Sequence, residues 1–260
     1  MDERKMQVQA RFGQYAQGYV QSAVFSQGAD LDRLVALANP QNDWLALDIA
    51  TGGGHTALRF APLLRHVVAA DLTTGMLQAA RDHLNGQGAA NISYSVTDAE
   101  NLPFPSQSFD LVTCRIAPHH FSDCFRFVQE CARVLKPDGL LLIEDHLSPD
   151  DERAARYIDS FERLRDPSHV RTYAGYEWQG MLLDAGLTVE HEEIFSMTGA
   201  KLLPWAQRQG CTAEVIERLQ VLLVQAPDTV AEWLHPQCAG TSDATFDHHF
   251  IIIMGRKAVS

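Results

Sequence analysis

The sequence predicts an α/β fold built on a mostly parallel sheet, and three observations support that prediction. A short apolar run that begins at Leu45 turns through three consecutive glycines into a helical pattern. A second apolar segment, His66–Asp71, ends in a carboxylate. Strand and helix patterns then alternate along the chain. Continuous apolar strands are typical of parallel sheets that helices cover on both faces.

The first third of the chain supplies a helical segment and then the first strands. Residues 1–38 are mostly helical in pattern, and Asn39-Pro40 ends the last helix, whose apolar side chains recur at positions 31, 34, 35 and 38. After the glycines, Ala57–Leu64 continues a helix. Thr73 or Thr74 is placed to cap a further helix, Gly75–His83, which precedes a third strand, Ile92–Val96.

The middle of the chain repeats the alternation. A fourth strand, Phe109–Cys114, precedes an amphipathic helix, Asp123–Leu135. Lys136–Gly139 reads as a turn into a fifth strand, Leu140–His146. Its last residues, Glu144, Asp145 and His146, reach the edge where open α/β sheets place ligands, so they are candidate substrate-side residues or solvated loop charges.

The last third predicts helices over Pro149–Arg165 and Tyr176–Gly186, the second closed by its glycine, and a strand from Leu187 to Phe195. Helical patterns recur at 212–224 and 228–234, and a final strand covers Thr245–Gly255. The segment Lys201–Gly240 between the last two strands is long for a hairpin loop. It is expected to form a lid over a pocket, or else a dimer contact.

The composition limits the classes of fold and partner that the chain can have. At 260 residues the chain fits one large α/β domain, and its 46% apolar and 21% charged content is ordinary for a globular protein. A formal charge of −12 with scattered Lys and Arg argues against nucleic acid and anionic lipid as partners.

Neither the N-terminus nor the cysteines suggest an extracellular protein. No apolar run is long enough to span a bilayer, and Met1–Lys5 lacks the start of a secretion signal, so a cytoplasmic location is expected. The five cysteines are an odd number without a C-x-x-C pair. They therefore predict neither a disulfide framework nor a metal site, and read as small core residues.

The glycine turn predicts a nucleotide-binding loop. Gly52, Gly53 and Gly54 permit positive φ and close approach of a ligand to the backbone, and the N–H groups of the following helix face the same crevice. With Asp71, Gly52-x-Gly54-x-x-Ala57 fits a dinucleotide fingerprint. Asp71 is placed to accept both ribose hydroxyls. A glycine turn that binds nothing is the plain structural alternative.

A second interpretation of the same loop points to a different cofactor. Leu47-Asp48-x-Ala50-x-Gly52-x-Gly54 resembles the first motif of class I S-adenosylmethionine-dependent methyltransferases. Two further stretches are similar to that family over their whole length: Asn101-Leu-Pro-Phe-Pro-Ser-Gln-Ser-Phe-Asp110 and Arg133-Val-Leu-Lys-Pro-Asp-Gly-Leu-Leu-Leu-Ile-Glu-Asp-His146. The resemblance is to the ubiquinone and menaquinone biosynthesis type, and it covers roughly residues 10–190.

This resemblance implies a fold and a domain plan. The fold would be a Rossmann-like, seven-stranded, mostly parallel sheet with an antiparallel last strand between the fifth and sixth, helices on both faces, an N-terminal helical cap and a helical lid insertion. Residues 1–260 would form a single methyltransferase domain. Its parts would be the cap (1–38), the cofactor-binding core (39–147), and the substrate-side helices, lid and terminal strand hairpin (148–260).

The resemblance also implies a set of contacts with S-adenosyl-L-methionine. Asp98 would accept from the exocyclic amine of adenine, and the N–H of Ala99 would donate to a ring nitrogen. Leu72 and Met76 would pack on the adenine faces, although core packing is an alternative for both. The full set of expected cofactor residues is Tyr19, Asp48, Ala50, Gly52, Gly54, Asp71, Leu72, Met76, Asp98, Ala99 and Arg115.

Five side chains are expected to bear on the reactive end of the cofactor. Tyr15 or Tyr19 would lie near the methionine end, or pack a surface helix. Arg115 would pair with the methionine carboxylate, or form a surface salt bridge. The adjacent His119 and His120 are the candidates for acid–base catalysis, because imidazole titrates near neutrality; packing is the alternative.

The expected reaction is an in-line attack of an acceptor nucleophile on the sulfonium methyl group. The acceptor is expected to be a small molecule, with a quinone precursor or another hydroxyaromatic compatible. The atom methylated and the oligomeric state, including a homodimer, stay open. Two other hypotheses are a cofactor-binding partner subunit without turnover and an NAD-dependent oxidoreductase.

Overall fold

The computed structural model describes residues 3–20 and 28–259, with the side chains of residue 3 and of residues 14–20 outside that description. Its strands are β1 (Leu45–Ile49), β2 (His66–Asp71), β3 (Ile92–Val96), β4 (Phe109–Arg115), β5 (Leu135–His146), β6 (Leu187–Lys201) and β7 (Thr245–Lys257). They form one seven-stranded sheet in the order β3-β2-β1-β4-β5-β7-β6.

The first five strands run parallel, and β7 runs antiparallel between β5 and β6. This arrangement confirms the predicted sheet, including the inserted last strand. Because β1 pairs with both β2 and β4, the carboxyl ends of these three strands meet at one edge of the sheet.

Helices cover both faces of the sheet. They are α1 (Glu3–Val20), α2 (Ala29–Ala38), α3 (His55–Phe60), α4 (Thr74–Gly86), α5 (Cys124–Val134), α6 (Glu152–Arg165), α7 (Gly175–Asp184), α8 (Leu202–Gln207), α9 (Ala213–Val224) and α10 (Asp228–Leu234). Short 3₁₀ turns occupy Ala61–Leu63 and Pro118–His120.

Two hydrophobic clusters lie on opposite sides of the sheet. On one side, α5 and α7 bury Phe127 and Trp178 against strand residues such as Ile143. On the other, α2 and α3 bury Leu34 and Phe60. The apolar run of β1 therefore packs on both faces, as parallel strands require.

A third cluster joins the predicted lid segment to α6. Helices α8, α9 and α10 pack with α6 and the start of β7. At its centre the rings of Phe161 and Trp205 stack with centroids 5.3 Å apart, and Phe246 meets both edge-on. The insertion thus shares a core with α6.

Two strand boundaries differ from the prediction by five residues or more. Strand β5 begins at Leu135, five residues before the predicted start, because the expected turn is instead an irregularity inside the strand: Asp138 has φ 66° and the register with β4 shifts there. Strand β6 continues to Lys201, beyond the predicted end at Phe195, because it stays paired with β7 as far as Thr245. Long-range pairing overrides the local sequence signals in both places.

Among residues 3–20 and 28–259, no helix combines the length and apolar character needed to cross a lipid bilayer.

A buried carboxylate fixes the start of the glycine loop. Asp48, near the end of β1, accepts hydrogen bonds from the hydroxyls of Thr51 at 2.6 Å and Thr113 at 2.8 Å. Burial raises the pKa of Asp48 to about 6, although these hydrogen bonds oppose the shift. One side chain therefore ties β1, the loop and β4 together.

Loop geometry requires glycine at position 54. Gly54 has φ 82°, and a Cβ added there would lie 2.8 Å from Cδ1 of Leu84 on α4. We expect Gly54→Ala to lower the free energy of unfolding more than Gly88→Ala, in urea denaturation without cofactor. Gly88 shares the positive φ but has open space around it, so its variant should lose only about 1 kcal/mol. The added clash should lower the free energy of unfolding of Gly54→Ala by at least about 1 kcal/mol more. Equal losses would contradict this account of the loop.

The pKa of Asp48 predicts a pH dependence of stability. The pKa of an aspartate in the unfolded chain is about 3.9, so the folded state binds this proton more tightly. The stabilisation is present below about pH 4 and is lost as the pH rises through about 6. Asp48→Asn does not titrate. Between about pH 4.5 and 7.5 we therefore expect this variant to gain about 2 kcal/mol of stability relative to the wild type.

Urea denaturation at both pH values measures this difference. Asp82→Asn, at an exposed carboxylate on α4 that accepts a hydrogen bond from Gln78, is the matched control and should track the wild type. Parallel pH profiles for the wild type and Asp48→Asn would show that burial does not raise this pKa.

Candidate functional site

A cleft opens where β1, β2 and β4 end. Nine of the residues expected to bind cofactor line it: Asp48, Ala50, Gly52, Asp71, Leu72, Met76, Asp98, Ala99 and Arg115. Gly54 lies outside the lining and packs on Leu84 instead. The side chain of Tyr19 falls outside the described residues, as does that of Tyr15.

The loop after β1 takes an unusual backbone path along this cleft. Ala50, Gly52 and Gly54 all have φ between 51° and 82°, the left-handed region. For Ala50 this conformation is unfavourable, and the surrounding hydrogen bonds hold it in place. The N–H of Thr51 donates to the carbonyl of Ala70 at 2.9 Å.

Asp71, at the end of β2, stabilises the loop that follows β1. Its carboxylate accepts from the N–H of Gly52 at 3.1 Å and from the N–H of Thr73 at 2.9 Å. Burial raises the pKa of Asp71, and the backbone donors work against that shift. The side chain borders the cleft and keeps further lone pairs for a ligand.

The loop after β3 carries Asp98 and Ala99. The carboxylate of Asp98 accepts from the N–H of Glu100 at 3.0 Å and from the ammonium of Lys5 at 2.7 Å. The same ammonium lies 2.7 Å from the carboxylate of Glu100. Lys5 belongs to α1, so an ion pair joins this loop to the N-terminal helix.

Helix α1 forms one wall of the cleft. Val8 and Phe12 line it, and the amide of Gln9 donates to the carbonyl of Leu72 at 2.9 Å. Phe12 also packs against the buried Met76. Met76 therefore both lines the cleft and packs in a small hydrophobic cluster, and its contact with adenine stays a prediction.

A second ion pair fixes α1 to the far side of the molecule. The guanidinium of Arg11 lies 3.0 Å from the carboxylate of Asp166 and donates to the carbonyl of Gln209 at 2.8 Å. Asp166 follows α6 and Gln209 follows α8. Helix α1 is thus held near its start by Lys5 and near its middle by Arg11.

Arg115 is enclosed by two carboxylates at the end of β4. Its guanidinium donates to Asp30 of α2 at 2.7 Å and to Glu144 of β5 at 3.1 Å. All three side chains are nearly buried. Burial raises the pKa of Glu144 against the effect of the guanidinium. A cofactor carboxylate would have to share Arg115 with these two acids.

His119 and Asp145 form a buried hydrogen-bonded pair. Nδ1 of His119 lies 2.6 Å from one oxygen of Asp145, and the N–H of His119 donates to the other oxygen at 2.8 Å. Burial lowers the pKa of His119 and favours the neutral ring. A neutral ring whose Nδ1–H donates to the carboxylate presents the Nε2 lone pair elsewhere.

His120 has a different environment. Its Nδ1 lies 3.1 Å from the carbonyl of Ser168, and its ring meets that of Phe12 edge-on at 5.0 Å. Burial lowers the pKa of His120 as well. The two adjacent histidines are thus held by different partners: His119 by a carboxylate, His120 by a main-chain carbonyl.

A second, larger cavity of about 920 Å³ adjoins the cleft. Four residues line both spaces: Phe12, Arg115, Ile116 and His120. Ile116 has φ 51°, which is a true outlier for a β-branched residue, and its N–H donates to the carbonyl of Glu144 at 2.7 Å. Backbone strain is therefore concentrated where the two spaces meet.

The larger cavity is rich in histidines. His119, His146, His169 and His248 all line it. Burial lowers the pKa of His146, and it lowers that of His248 to about 3. Nε2 of His169 lies 2.8 Å from the carboxylate of Asp159.

Several of these residues carry no local sequence signal. Lys5 and Arg11 lie far from their partners in sequence, and nothing in the polar N-terminal pattern marks them. His169 lies in a connecting segment. His248 offered a weak signal, because it interrupts an otherwise apolar strand pattern. Asp145 and His146 were expected at the substrate side, and both lie at the larger cavity or next to it.

Comparison with known proteins gives the family. The sequence profile described as "Methyltransferase domain" matches residues 47–143. The chain is 36% identical to the uncharacterized methyltransferase YcgJ of Bacillus subtilis over 217 residues, which cover 84% of this chain and 85% of that protein. It is 38% identical over 119 residues to the ubiquinone/menaquinone biosynthesis C-methyltransferase UbiE of Pseudomonas putida, covering 44% of this chain and 46% of UbiE.

Solved structures agree with the sequence relatives. The crystal structure of a methyltransferase-like protein from Bacillus halodurans superposes with a TM-score of 0.84 and 34% identity, covering 89% of this chain and 100% of that one. The parallel sheet with its antiparallel insertion, the glycine loop and these relatives exclude the oxidoreductase hypothesis. The chain belongs to the class I S-adenosylmethionine-dependent methyltransferases.

Proposed function

We propose that this enzyme transfers the methyl group of S-adenosyl-L-methionine to a small-molecule acceptor bound in the larger cavity. The cleft at the ends of β1 and β2 would hold the nucleoside, with Asp71 on the ribose and Asp98 and Ala99 on the adenine. The larger cavity has the size of a metabolite-binding pocket. The boundary at Arg115, Ile116 and His120 is then where donor and acceptor meet.

The bound cofactor supplies an activated methyl group, and the chain's own task is alignment. Residues of α1 and of the segment after β4 enclose the junction and limit the entry of water. Positioning an acceptor in line with a sulfonium can supply much of the rate acceleration. Removal of a proton is the one chemical step left to a side chain.

We propose His119 as the general base, and its pairing with Asp145 is the main support for this role. With its Nδ1–H bonded to Asp145, His119 is held in the tautomer whose Nε2 can accept a proton. Asp145 acts as a positioning residue, since it fixes the ring without facing the larger cavity itself. His120, bonded to a carbonyl, is the weaker candidate for a base and suits cofactor or acceptor contact.

The acceptor class follows from the walls of the larger cavity. Phe195, Trp205 and Phe250 contribute aromatic faces, and the histidines contribute polar atoms. This mixture suits a hydroxyaromatic compound. Removing a phenolic proton would activate either the oxygen or a ring carbon for attack. The partial relative UbiE is named for C-methylation in quinone biosynthesis, which is compatible with the same class.

A panel of hydroxyaromatics and quinone precursors with methyl-labelled S-adenosyl-L-methionine tests the acceptor class. Transfer of label to a member of the panel supports the proposal. Tight binding of S-adenosylhomocysteine without transfer to any member would instead favour the hypothesis of a cofactor-binding partner subunit.

Asp71→Ala tests the cofactor side. Loss of the carboxylate should remove charge-assisted hydrogen bonds to the ribose and release the N–H of Gly52. We expect the affinity for S-adenosylhomocysteine, measured by isothermal titration, to fall by roughly tenfold to a hundredfold. Asp82→Ala, at an exposed carboxylate on α4, should bind like the wild type. Unchanged affinity in Asp71→Ala would contradict the ribose role.

His119→Gln tests the base. Glutamine can keep a polar contact but cannot take up a proton, so kcat on the identified acceptor should fall by roughly 10²–10⁴-fold. The affinity for S-adenosylhomocysteine should stay within about threefold, since His119 lies outside the lining of the cleft.

Two variants make this measurement specific. His191→Gln, at a histidine on β6 that lines neither space, should retain the wild-type kcat. Asp145→Asn should lower kcat without raising KM to the same degree, because the ring loses its preferred tautomer. Full kcat in His119→Gln would contradict the role of His119 as a base and would leave positioning of the substrates as the means of catalysis.

A further inference from the structure

Three potential metal ligands meet on the wall of the larger cavity. His146, Glu162 and His248 each offer a nitrogen or carboxylate oxygen, and these atoms lie within 4.8 Å of one another. All three side chains line the cavity. Neither the fold nor methyl transfer accounts for this grouping, and the cysteines, which the sequence analysis considered for metal binding, take no part in it.

Three separate elements bring these side chains together. His146 ends β5 and pairs with Phe250 of β7 in the antiparallel register. Residues two apart on a strand share a face, so His248 lies on the same face as Phe250 and His146. The rings of the two histidines are 5.5 Å apart. Glu162 comes from α6, which lies over this part of the sheet. Sites built on regular elements are well fixed in space.

One buried nitrogen of this group has no partner in the described part of the chain, and the carboxylate is only loosely paired. Nε2 of His248 is buried and has no hydrogen-bond partner within residues 3–20 and 28–259. Glu162 is only 6% exposed, and its charged neighbour Arg165 stays 3.8 Å away, beyond hydrogen-bond distance. Buried polar groups without partners are costly, so such a cluster calls for a ligand that would satisfy it.

We propose that His146, Glu162 and His248 bind a divalent transition metal ion, with Zn²⁺ the favoured ion. Two imidazoles and one carboxylate form a ligand set that zinc uses where a fourth position stays open for water or substrate. Imidazole also suits Fe²⁺, Co²⁺, Ni²⁺ and Cu²⁺, whereas Mg²⁺ and Ca²⁺ prefer oxygen ligands alone.

The geometry requires a small adjustment. Bonds of about 2.0–2.1 Å in a tetrahedral site place ligand atoms roughly 3.4 Å apart. The present spacing of up to 4.8 Å closes to that value with side-chain movements on the order of 1 Å.

Arg165 is the nearest competing cation. Its guanidinium lies over the ring of Trp205 at 4.2 Å, and its Nε donates to the carbonyl of Trp205 at 3.2 Å. These contacts leave Arg165 in a loose ion pair with Glu162, at 3.8 Å and without a hydrogen bond. A metal ion could therefore bind the carboxylate without displacing a formed hydrogen bond, although the positive charge of Arg165 would weaken its affinity.

The open coordination position would face the cavity in which we place the acceptor. An acceptor oxygen bound there would be oriented toward the junction with the cofactor cleft, and its hydroxyl pKa would fall. This step rests on the proposed function. The metal site itself does not, and it is tested without cofactor or acceptor.

The test is a Co²⁺ titration of chelator-treated protein, followed by its visible absorption, with Zn²⁺ then added to displace the cobalt. All variants carry Cys238→Ser, because the exposed thiol of Cys238 could bind metal on its own. We expect one equivalent of metal to bind the parent protein. Glu162→Gln and His248→Gln should each weaken binding by at least about tenfold.

His66→Gln is the matched control. His66 is a histidine on β2 whose ring contacts Ser93, far from the cavity, and its loss should leave metal affinity unchanged. Circular dichroism and S-adenosylhomocysteine affinity show whether each variant is folded. If one variant fails to fold, the metal affinity of the other variant and the number of metal ions bound by the parent protein still test the site.

The proposal is overturned if the parent protein binds no metal, or if Glu162→Gln and His248→Gln bind as the parent does. Metal binding without methyl transfer to any panel member would leave this site standing and count against the proposed acceptor class alone.

Discussion

Two buried carboxylates hold the glycine loop in its shape, and the cleft depends on them. Asp48 joins the end of β1 to Thr51 and Thr113, and Asp71 accepts from the N–H of Gly52. Burial of an acid is costly unless donors surround it, so each carboxylate constrains the backbone that supplies its donors. The left-handed residues of the loop are stable only because these bonds hold them.

A second loop, which follows β3, connects the sheet to the N-terminal helix α1. Asp98 and Glu100, after β3, bind Lys5, while Arg11 reaches Asp166 and Gln209 beside the larger cavity. Helix α1 therefore contacts both the cleft and the surroundings of the larger cavity. An adenine amine that bound Asp98 would compete with Lys5 for the same carboxylate. If Asp98 binds adenine as we propose, this shared acid would couple cofactor binding to the position of α1.

The sequence predicted what is encoded locally. The glycine loop, the acid that ends β2 and the amphipathic helices each lie within one segment, and the structure has them close to the predicted bounds. The order of the strands came from the family resemblance. Apart from Gly54, the residues from Asp48 to Ala99 that were expected at the cofactor line one cleft, because parallel strands share a carboxyl edge.

What could not be predicted depends on contacts between distant segments. Lys5 and Asp98 are 93 positions apart, and no local pattern pairs them. The group formed by His146, Glu162 and His248 requires the register of β5 with β7 and the placement of α6. The extension of β6 and the early start of β5 also follow from pairing with a neighbouring strand.

Burial gives the larger cavity its chemical character. Imidazoles withdrawn from water stay neutral, and neutral nitrogen is what both a proton acceptor and a metal ligand require. The guanidinium groups of Arg115 and Arg165 line the same cavity, and a sulfonium at the junction would add a third positive charge. Each of these cations disfavours protonation of the rings. The neutral form of His119 is the one that the proposed proton transfer would use, and the neutral forms of His146 and His248 are the ones that the proposed metal site would use.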